Sequence, residues 1–162
     1  WKPRGGLSDQ QIISAKVILW RGHCSVHGRF SMENITEVRA RIPDVNVLVH
    51  PECQHEVVKN ADYVGSTESI IKTVTSAPPG SAWAVGTELN LVKRLAANNP
   101  EKQVVFLDKT VCYCSTMNRI DLPHLVWAME TLVKGRIVNQ ISVEEKTAHF
   151  ARVALERMLA LP

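Results

Sequence analysis

The sequence lacks any apolar run long enough to cross a membrane. Its uninterrupted apolar stretches are short, as at Val17–Trp20, Val47–Val49 and Val104–Leu107, whereas a membrane-spanning helix needs about 20 such residues. No basic segment followed by an apolar segment opens the chain, which argues against a secretory signal peptide. We therefore expect a protein without a membrane partner.

The sequence also has little clustered charge. Its 19 Lys and Arg against 16 Asp and Glu give a net charge of +3, and the basic residues are scattered rather than gathered into the stripe typical of nucleic-acid-binding proteins. A weak positive bias suits a small anionic substrate better. We expect no nucleic-acid partner.

A disulfide framework is missing as well. The four cysteines do not have the spacing of a small secreted disulfide-rich domain, and they are Cys24, Cys53, Cys112 and Cys114. We therefore expect a reducing, cytoplasmic setting, in which these thiols remain available to a metal.

What is present is an alternation of short β-branched runs with amphipathic helical stretches. Strands are predicted at Lys16–Trp20, Asn46–His50, Tyr63–Val64, Ala82–Gly86 and Gln103–Leu107. Helices are predicted at Met32–Arg41, Glu56–Asn60, Glu68–Thr75, Leu89–Asn98, from the N-cap Asp121 to about Val133, and from the Ser142–Glu145 capping box toward Leu161. This alternation predicts an α/β fold with short parallel sheets covered by helices on both faces.

The best internal boundary is the turn Pro78-Pro79-Gly80. We expect an irregular lead-in over residues 1–15, one three-layer αβα unit over 16–79, and a second over 80–162 that ends in a C-terminal helix. Two such units fit the length better than one continuous sheet.

Short polar runs follow the predicted strands. They are Gly22-His-Cys24 with His27, His50-Pro-Glu52-Cys53, Gly65-Ser-Thr67, Gly86-Thr-Glu88 and Cys112-Tyr-Cys114. Ligands of open α/β sheets bind in the crevice at the carboxyl ends of the strands. These loops therefore predict one site at that edge.

Two of these loops carry residues with a clear chemical use. His50 and Glu52 stand two positions apart on an extended segment and can face one cavity, where a histidine–carboxylate pair suits general acid–base catalysis. Ser66 and Thr67 open a helix, whose N–H groups and hydroxyls suit an anion. The alternatives are a hydrogen-bonded strand-end histidine and ordinary N-capping, and capping can coexist with binding.

The same loops resemble those of a known family, the quinolinate synthases. The string Leu19-Trp-Arg-Gly-His-Cys-Ser-Val-His27 resembles the family's G-x-C-x-V-H segment, and further matching strings follow in order. They are Val49-His-Pro-Glu52, Ala61-Asp-Tyr-Val-Gly-Ser-Thr67, Val85-Gly-Thr-Glu88, Cys114-Ser-Thr-Met-Asn-Arg-Ile120 and Leu155-Glu-Arg-Met158. Each string alone is a weak signal, but the ordered set over residues 16–161 is specific.

The resemblance implies three αβα domains around a pseudo-threefold axis, with one cysteine from each holding a 4Fe–4S cluster. It implies the condensation of iminoaspartate with dihydroxyacetone phosphate to quinolinate in NAD biosynthesis, the cluster acting as a Lewis acid for dehydration. This chain would supply the second and third domains. The N-terminal domain would be a missing partner, without which the chain is expected to be inactive.

The resemblance also implies roles for individual residues. Cys24 and Cys114 match the cluster ligands, and His50 and Glu52 match residues that contact substrate or transfer protons. Ser66 and Thr67 match a loop that holds a substrate carboxylate or phosphate.

Two cysteines and two rival functions remain open. Cys53 is expected to be a packed bystander. Cys112 forms a C-x-C pair with Cys114 that could be redox-active or could exchange ligand roles. A zinc-binding Cys/His domain is one alternative, although the sequence lacks the close ligand pairs usual in structural zinc sites. A catalytically inactive remnant is the other.

Overall fold

The computed structural model describes residues 3–18, 22–110 and 114–161. The chain divides into two compact units, Trp1–Ser115 and Thr116–Pro162. Among the described residues, no helix has both the length and the apolar character needed to cross a bilayer.

The first unit contains all the strands of the described residues. Its elements are a 3₁₀ turn at Pro3–Gly6, α1 (Asp9–Ser14), a 3₁₀ turn at His27–Arg29, α2 (Met32–Arg41), β1 (Asn46–Val49), α3 (His55–Asn60), β2 (Tyr63–Val64), α4 (Thr67–Ser76), β3 (Ala82–Gly86), α5 (Leu89–Asn98) and β4 (Gln103–Phe106). The bounds of α2, β2, β3 and α5 are those predicted from the sequence. The α/β class and the helix-flanked parallel sheet are thereby confirmed.

The four strands form one parallel sheet in the order β2-β1-β3-β4. Val49 of β1 lies opposite Val64 of β2 and Gly86 of β3, and Val85 lies opposite Phe106 of β4. The carboxyl ends of all four strands therefore meet at one edge.

Helices cover both faces of this sheet. Because successive strand residues point to opposite sides, each central strand contributes to two apolar clusters. The cluster that includes α2 and α3 contains Ile35, Val38, Val47, Val49, Val57 and Ala84. The cluster that includes α4 and α5 contains Leu48, Ile70, Val74, Trp83, Val85, Val92 and Leu95. Burying one such Val or Leu fully contributes about 1.5–3 kcal/mol, so the central strands are held from both sides.

The end of β3 has little room for a side chain at Gly86. A Cβ on Gly86 would lie 3.0 Å from Leu107 Cδ2 and 3.0 Å from Val49 Cγ1. The end of β3 therefore packs directly against β1 and the residue after β4.

The expected division after Pro79 falls inside this sheet. Strand Ala82–Gly86, expected to open a second unit, pairs with Asn46–Val49 of the first. A parallel strand buried on both faces needs neighbouring strands and helices around it, and β1 supplies one of those neighbours. The observed division follows Ser115. Which family domains the two units represent stays a prediction.

Two further expectations differ from the structure near the N-terminus. The predicted strand Lys16–Trp20 is not formed over Lys16–Ile18, and Trp20 lies outside the described residues. The lead-in over 1–15 is not irregular, because α1 begins at a capping box in which Ser8 Oγ accepts a hydrogen bond from the Gln11 N–H at 3.2 Å.

The second unit contains a 3₁₀ turn at Met117–Arg119 and two helices, α6 (Leu122–Val133) and α7 (Glu145–Leu159). Asp121 caps α6 as predicted, accepting a hydrogen bond from the His124 N–H at 2.8 Å. Helix α7 begins at Glu145 with Glu144 at the N-cap, so the predicted opening by Ser142 was wrong.

Large apolar side chains on these two helices remain exposed. Trp127 is 44% exposed. It is accompanied by Leu122, Leu125, Met129, Leu132, Val133, Phe150, Leu155 and Met158. Exposed apolar area on this scale usually marks a contact surface.

Candidate functional site

The sheet has a topological switch point between β1 and β3. From β1 the chain passes through α3 to β2 on one side, and from β3 it passes through α5 to β4 on the other side. Open α/β sheets bind ligands in the crevice outside the carboxyl ends of the strands at such a point. The loop that begins at His50 and the loop that begins at Thr87 border this crevice.

Backbone hydrogen bonds hold the loop after β1 against β3. The His50 N–H donates to the Gly86 carbonyl at 3.1 Å, and the Cys53 N–H donates to the His50 carbonyl at 3.0 Å. Gln54 Nε2 donates to the Gly28 carbonyl at 2.6 Å. This last bond joins the segment around Cys24 to the same edge.

His27 is the centre of the site. It is only 8% exposed, with its Nδ1 3.0 Å from Glu52 Oε2 and its Nε2 3.2 Å from Thr87 Oγ1. Thr87 is itself 2% exposed. Three separate segments of the chain thus meet at one imidazole ring.

The partners of His27 define where its proton lies. A carboxylate only accepts hydrogen bonds, whereas a hydroxyl both donates and accepts. With Glu52 ionised, a neutral His27 therefore carries its proton on Nδ1 and accepts at Nε2 from the Thr87 hydroxyl. Both ring nitrogens are engaged, so the ring orientation is fixed.

His50 stacks on His27. The ring centroids are 4.4 Å apart and the ring planes differ by 8°. His50 Nδ1 accepts a hydrogen bond from the Glu52 N–H at 3.2 Å, which puts the proton of a neutral His50 on Nε2. Burial, together with the neighbouring His27, lowers the pKa of His50 despite the opposing charge of Glu52. Near neutral pH His50 is therefore a neutral hydrogen-bond donor.

Cys24 completes the group. Its sulfur, a ring nitrogen of His27 and a carboxylate oxygen of Glu52 all lie within 4.8 Å of one another. Cys24 and Glu52 line a cavity of about 440 Å³ together with Gly22 and His23. This mixed sulfur, nitrogen and oxygen donor set is able to hold a metal ion.

The remaining cysteines differ from Cys24. Cys53 is buried in the apolar cluster of α2 and α3, as expected for a packed bystander, and burial raises the pKa of its thiol to about 11. Cys114 is half-buried, and its role as a ligand stays a prediction. Cys112 lies outside the described residues.

Ser66 and Glu88 are N-cap residues of helices that begin at the same edge. Ser66 Oγ accepts from the Ser69 N–H at 3.3 Å, and Glu88 Oε2 accepts from the Leu91 N–H at 3.1 Å. Glu88 Oε1 is buried and has no hydrogen-bond partner within the part of the chain that the structure describes. Capping is thus confirmed for Ser66, while substrate binding by Ser66 and Thr67 stays a prediction.

Sequence reasoning missed His27 and Thr87 as site residues. Both stood in strings that had been singled out, His27 three positions after Cys24 and Thr87 between Gly86 and Glu88. The usable signal was position alone, because His27 lies three positions after a predicted ligand and Thr87 directly precedes the helix cap Glu88 at the functional edge.

Comparison with known proteins matches the sequence of this chain to one family. The family described as "Quinolinate synthetase A protein" matches residues 5–160. The chain belongs to the quinolinate synthase family. Its relatives include proteins named quinolinate synthase from Nocardioides sp., 66% identical over the whole chain, and Streptomyces coelicolor, 65% identical over 99% of it. A protein of the same name from Rhodopirellula baltica is 51% identical over 99% of the chain.

The chain spans about two-fifths of the length of these relatives: 41% of the Nocardioides and Streptomyces proteins and 42% of the Rhodopirellula protein.

Proposed function

We propose that this chain forms part of a quinolinate synthase, which condenses iminoaspartate with dihydroxyacetone phosphate to quinolinate in NAD biosynthesis. The observation that carries the proposal is the group formed by His27, His50, Glu52 and Cys24 at the sheet's switch point. It occurs in a chain 66% identical to a protein of that name. The proposed setting is the cytoplasm.

The family resemblance implies a 4Fe–4S cluster, and the chemistry of the donor set is compatible with one. Cys24 is half-buried on the wall of a cavity, where a thiolate can reach a cluster. Cys53 does not fit, because its thiol is buried with a raised pKa. Cys24 and Cys114 would hold the cluster, with a third thiolate from outside this chain. The cluster would supply a Lewis-acidic iron for the dehydration.

The histidine–carboxylate group suits proton transfer in the condensation. The Glu52 side chain is 59% exposed, and its carboxylate is placed to take a proton from bound substrate. His50, neutral with its proton on Nε2, donates a hydrogen bond to an oxygen that gains negative charge. His27 holds the carboxylate of Glu52 in place. General acid–base catalysis of this kind contributes about 10²–10⁴-fold in rate.

The substrate anions have a binding region at the same edge. Helix α4 begins at Thr67, with Ser66 as its N-cap, and free N–H groups at a helix N-terminus attract carboxylate or phosphate. The bond from the Gly65 N–H to the Val49 carbonyl, 3.1 Å, ties this helix start to the end of β1. We propose that Ser66 and Thr67 contact a substrate carboxylate or phosphate here.

The rest of the longer polypeptide is the proposed partner of this chain. The exposed apolar residues of α6 and α7 provide a surface for it to cover, and the relatives are more than twice as long as this chain. Without that partner, the site lacks residues needed to hold two reactants in register. Such orientation is typically worth about 7–11 kcal/mol of barrier, so the isolated chain is expected to be inactive.

The proposal is tested by quinolinate formation in the full-length protein under anaerobic conditions. Glu52→Gln should lower kcat by about 10²–10⁴-fold, whereas Glu56→Gln, at an exposed position on α3, should leave it unchanged. Cys24→Ser and Cys114→Ser should lose the brown cluster absorbance, and Cys53→Ala should retain it. Full turnover by the Glu52→Gln or Cys24→Ser protein would overturn the proposal.

A second comparison tests the partner. This chain alone should form no quinolinate, and adding the remaining polypeptide in trans should restore activity and cluster absorbance. Robust turnover by the isolated chain would refute the need for a partner.

A further inference from the structure

We propose that Cys24 Sγ, His27 Nδ1 and Glu52 Oε2 form a mononuclear site for a divalent transition metal, zinc in particular, in the chain that carries no cluster. The Cys24 sulfur, a ring nitrogen of His27 and a carboxylate oxygen of Glu52 lie within 4.8 Å of one another, and His27 Nδ1 lies 3.0 Å from Glu52 Oε2. Thiolate, imidazole and carboxylate are the ligand types that zinc takes, and three protein ligands with an open fourth position is the pattern of accessible zinc sites.

The arrangement around His27 supports a metal site independently of the donor distances. Thr87 Oγ1 lies 3.2 Å from His27 Nε2 and is fixed in the core at the end of β3. A metal-binding histidine typically has its other ring nitrogen hydrogen-bonded, which sets the ring orientation. Here that second nitrogen is held by a buried hydroxyl, and Nδ1 is turned toward Glu52.

The donors need only small movements to bind one ion. Zinc bonds of about 2.0–2.3 Å in tetrahedral geometry place neighbouring donors roughly 3.5 Å apart. The 3.0 Å separation of His27 Nδ1 and Glu52 Oε2 would widen by about half an ångström. Cys24 would approach by about 1.3 Å at most, and its half-buried position leaves room for that approach.

Binding also leaves the protons balanced. The His27 proton moves from Nδ1 to Nε2, where the Thr87 hydroxyl changes from donor to acceptor. The Cys24 thiol loses its proton to solvent, because a thiolate is the form that binds the metal. Glu52 exchanges its hydrogen bond with Nδ1 for a bond to the ion.

The consequence is competition between two metal centres for one thiolate. The cluster proposed above uses Cys24 and Cys114, whereas the mononuclear site uses Cys24, His27 and Glu52. The two centres are therefore mutually exclusive. This consequence rests on the proposed function, but the mononuclear site itself does not.

The test is a titration of this chain, purified anaerobically without iron, with Zn²⁺ and with Co²⁺ as a spectroscopic probe. We expect one tight ion per chain and a thiolate-to-cobalt absorption band. Glu52→Gln changes an exposed side chain and should leave the fold intact. Because it removes a ligand, it should weaken Zn²⁺ binding by more than the roughly 10–100-fold that loss of an outer-shell partner costs. Thr87→Val should weaken it within that range.

Cys114→Ser is the control that separates the two centres. It should leave Zn²⁺ affinity and the cobalt band unchanged while abolishing cluster absorbance in the full-length protein. Unchanged affinity in Glu52→Gln, or loss of affinity in Cys114→Ser, would overturn the mononuclear site without bearing on the cluster. Cluster absorbance retained in Cys114→Ser would overturn the cluster assignment alone.

Discussion

The close packing of Gly86 makes a quantitative prediction about stability. In Gly86→Ala the new Cβ meets Leu107 Cδ2 and Val49 Cγ1 at 3.0 Å, and neither neighbour is free to retreat. Leu107 is 2% exposed and Val49 is fully buried. Overpacking a buried position by one methyl group typically costs about 1–3 kcal/mol.

The matched control is Gly28→Ala. No atom lies within 4 Å of a Cβ at Gly28, and its φ is not positive. Where the backbone permits alanine, replacing glycine typically stabilises the folded protein by about 0.4–1 kcal/mol, because it reduces the conformational entropy of the unfolded chain. The two variants add the same methyl group, but the free energy of unfolding should fall in Gly86→Ala and stay level or rise in Gly28→Ala.

Urea unfolding followed by circular dichroism measures the difference. With a typical slope of about 2 kcal/mol per M, a loss of about 2 kcal/mol lowers the midpoint by roughly 1 M in Gly86→Ala. The Gly28→Ala midpoint should stay level or rise. Equal midpoints for both variants, with unchanged slopes, would refute the packing argument.

Three further predictions follow from the site. Because the folded protein lowers the pKa of His50, the unfolded chain binds more protons just below pH 6.5, so the free energy of unfolding should rise with pH through that window. His50→Asn should flatten the rise of the urea midpoint between pH 5 and 7. The same rise in the variant as in the unchanged protein would contradict this. Cys53, whose thiol pKa is raised to about 11, should resist alkylation by iodoacetamide at pH 8, whereas Cys24 should react. Peptide mass spectrometry of the cluster-free chain measures this, and preferential labelling of Cys53 would contradict it. Ser66→Ala should lower the free energy of unfolding by about 1 kcal/mol, because the N-cap of α4 is lost. Ser66→Asp should restore the urea midpoint but not the activity of the full-length protein. Activity restored by Ser66→Asp would show that Ser66 acts only as a cap.

Local signals in the sequence predicted the elements well. The β-branched run Ala82–Gly86 and the amphipathic stretches Met32–Arg41 and Leu89–Asn98 coincide with β3, α2 and α5. Each of these patterns is contained within its own segment. Caps such as Asp121 were also found, because the bond they make spans only three residues.

Pairings between distant segments could not be predicted in the same way. The division after Pro79 followed a strong turn signal, but no local pattern shows that β3 pairs with β1 across α4. His27 was likewise missed because its partners, Glu52 and Thr87, lie 25 and 60 positions away. The sheet edge that carries the site could be predicted, because ligands of parallel sheets bind at the carboxyl ends of the strands. The central position of His27 could not, because it depends on how distant segments pack together.

The pairing of β1 with β3 has a consequence for folding order. Parallel strands joined by a crossover helix form contacts that are distant in sequence, and such contacts are slow to form. Thr87 reaches His27 only after α4 has crossed the sheet and β3 has docked on β1. During synthesis, Cys24 and His27 therefore emerge well before the Thr87 hydroxyl that fixes the His27 ring. Loading of the proposed metal is thus expected to follow completion of the sheet.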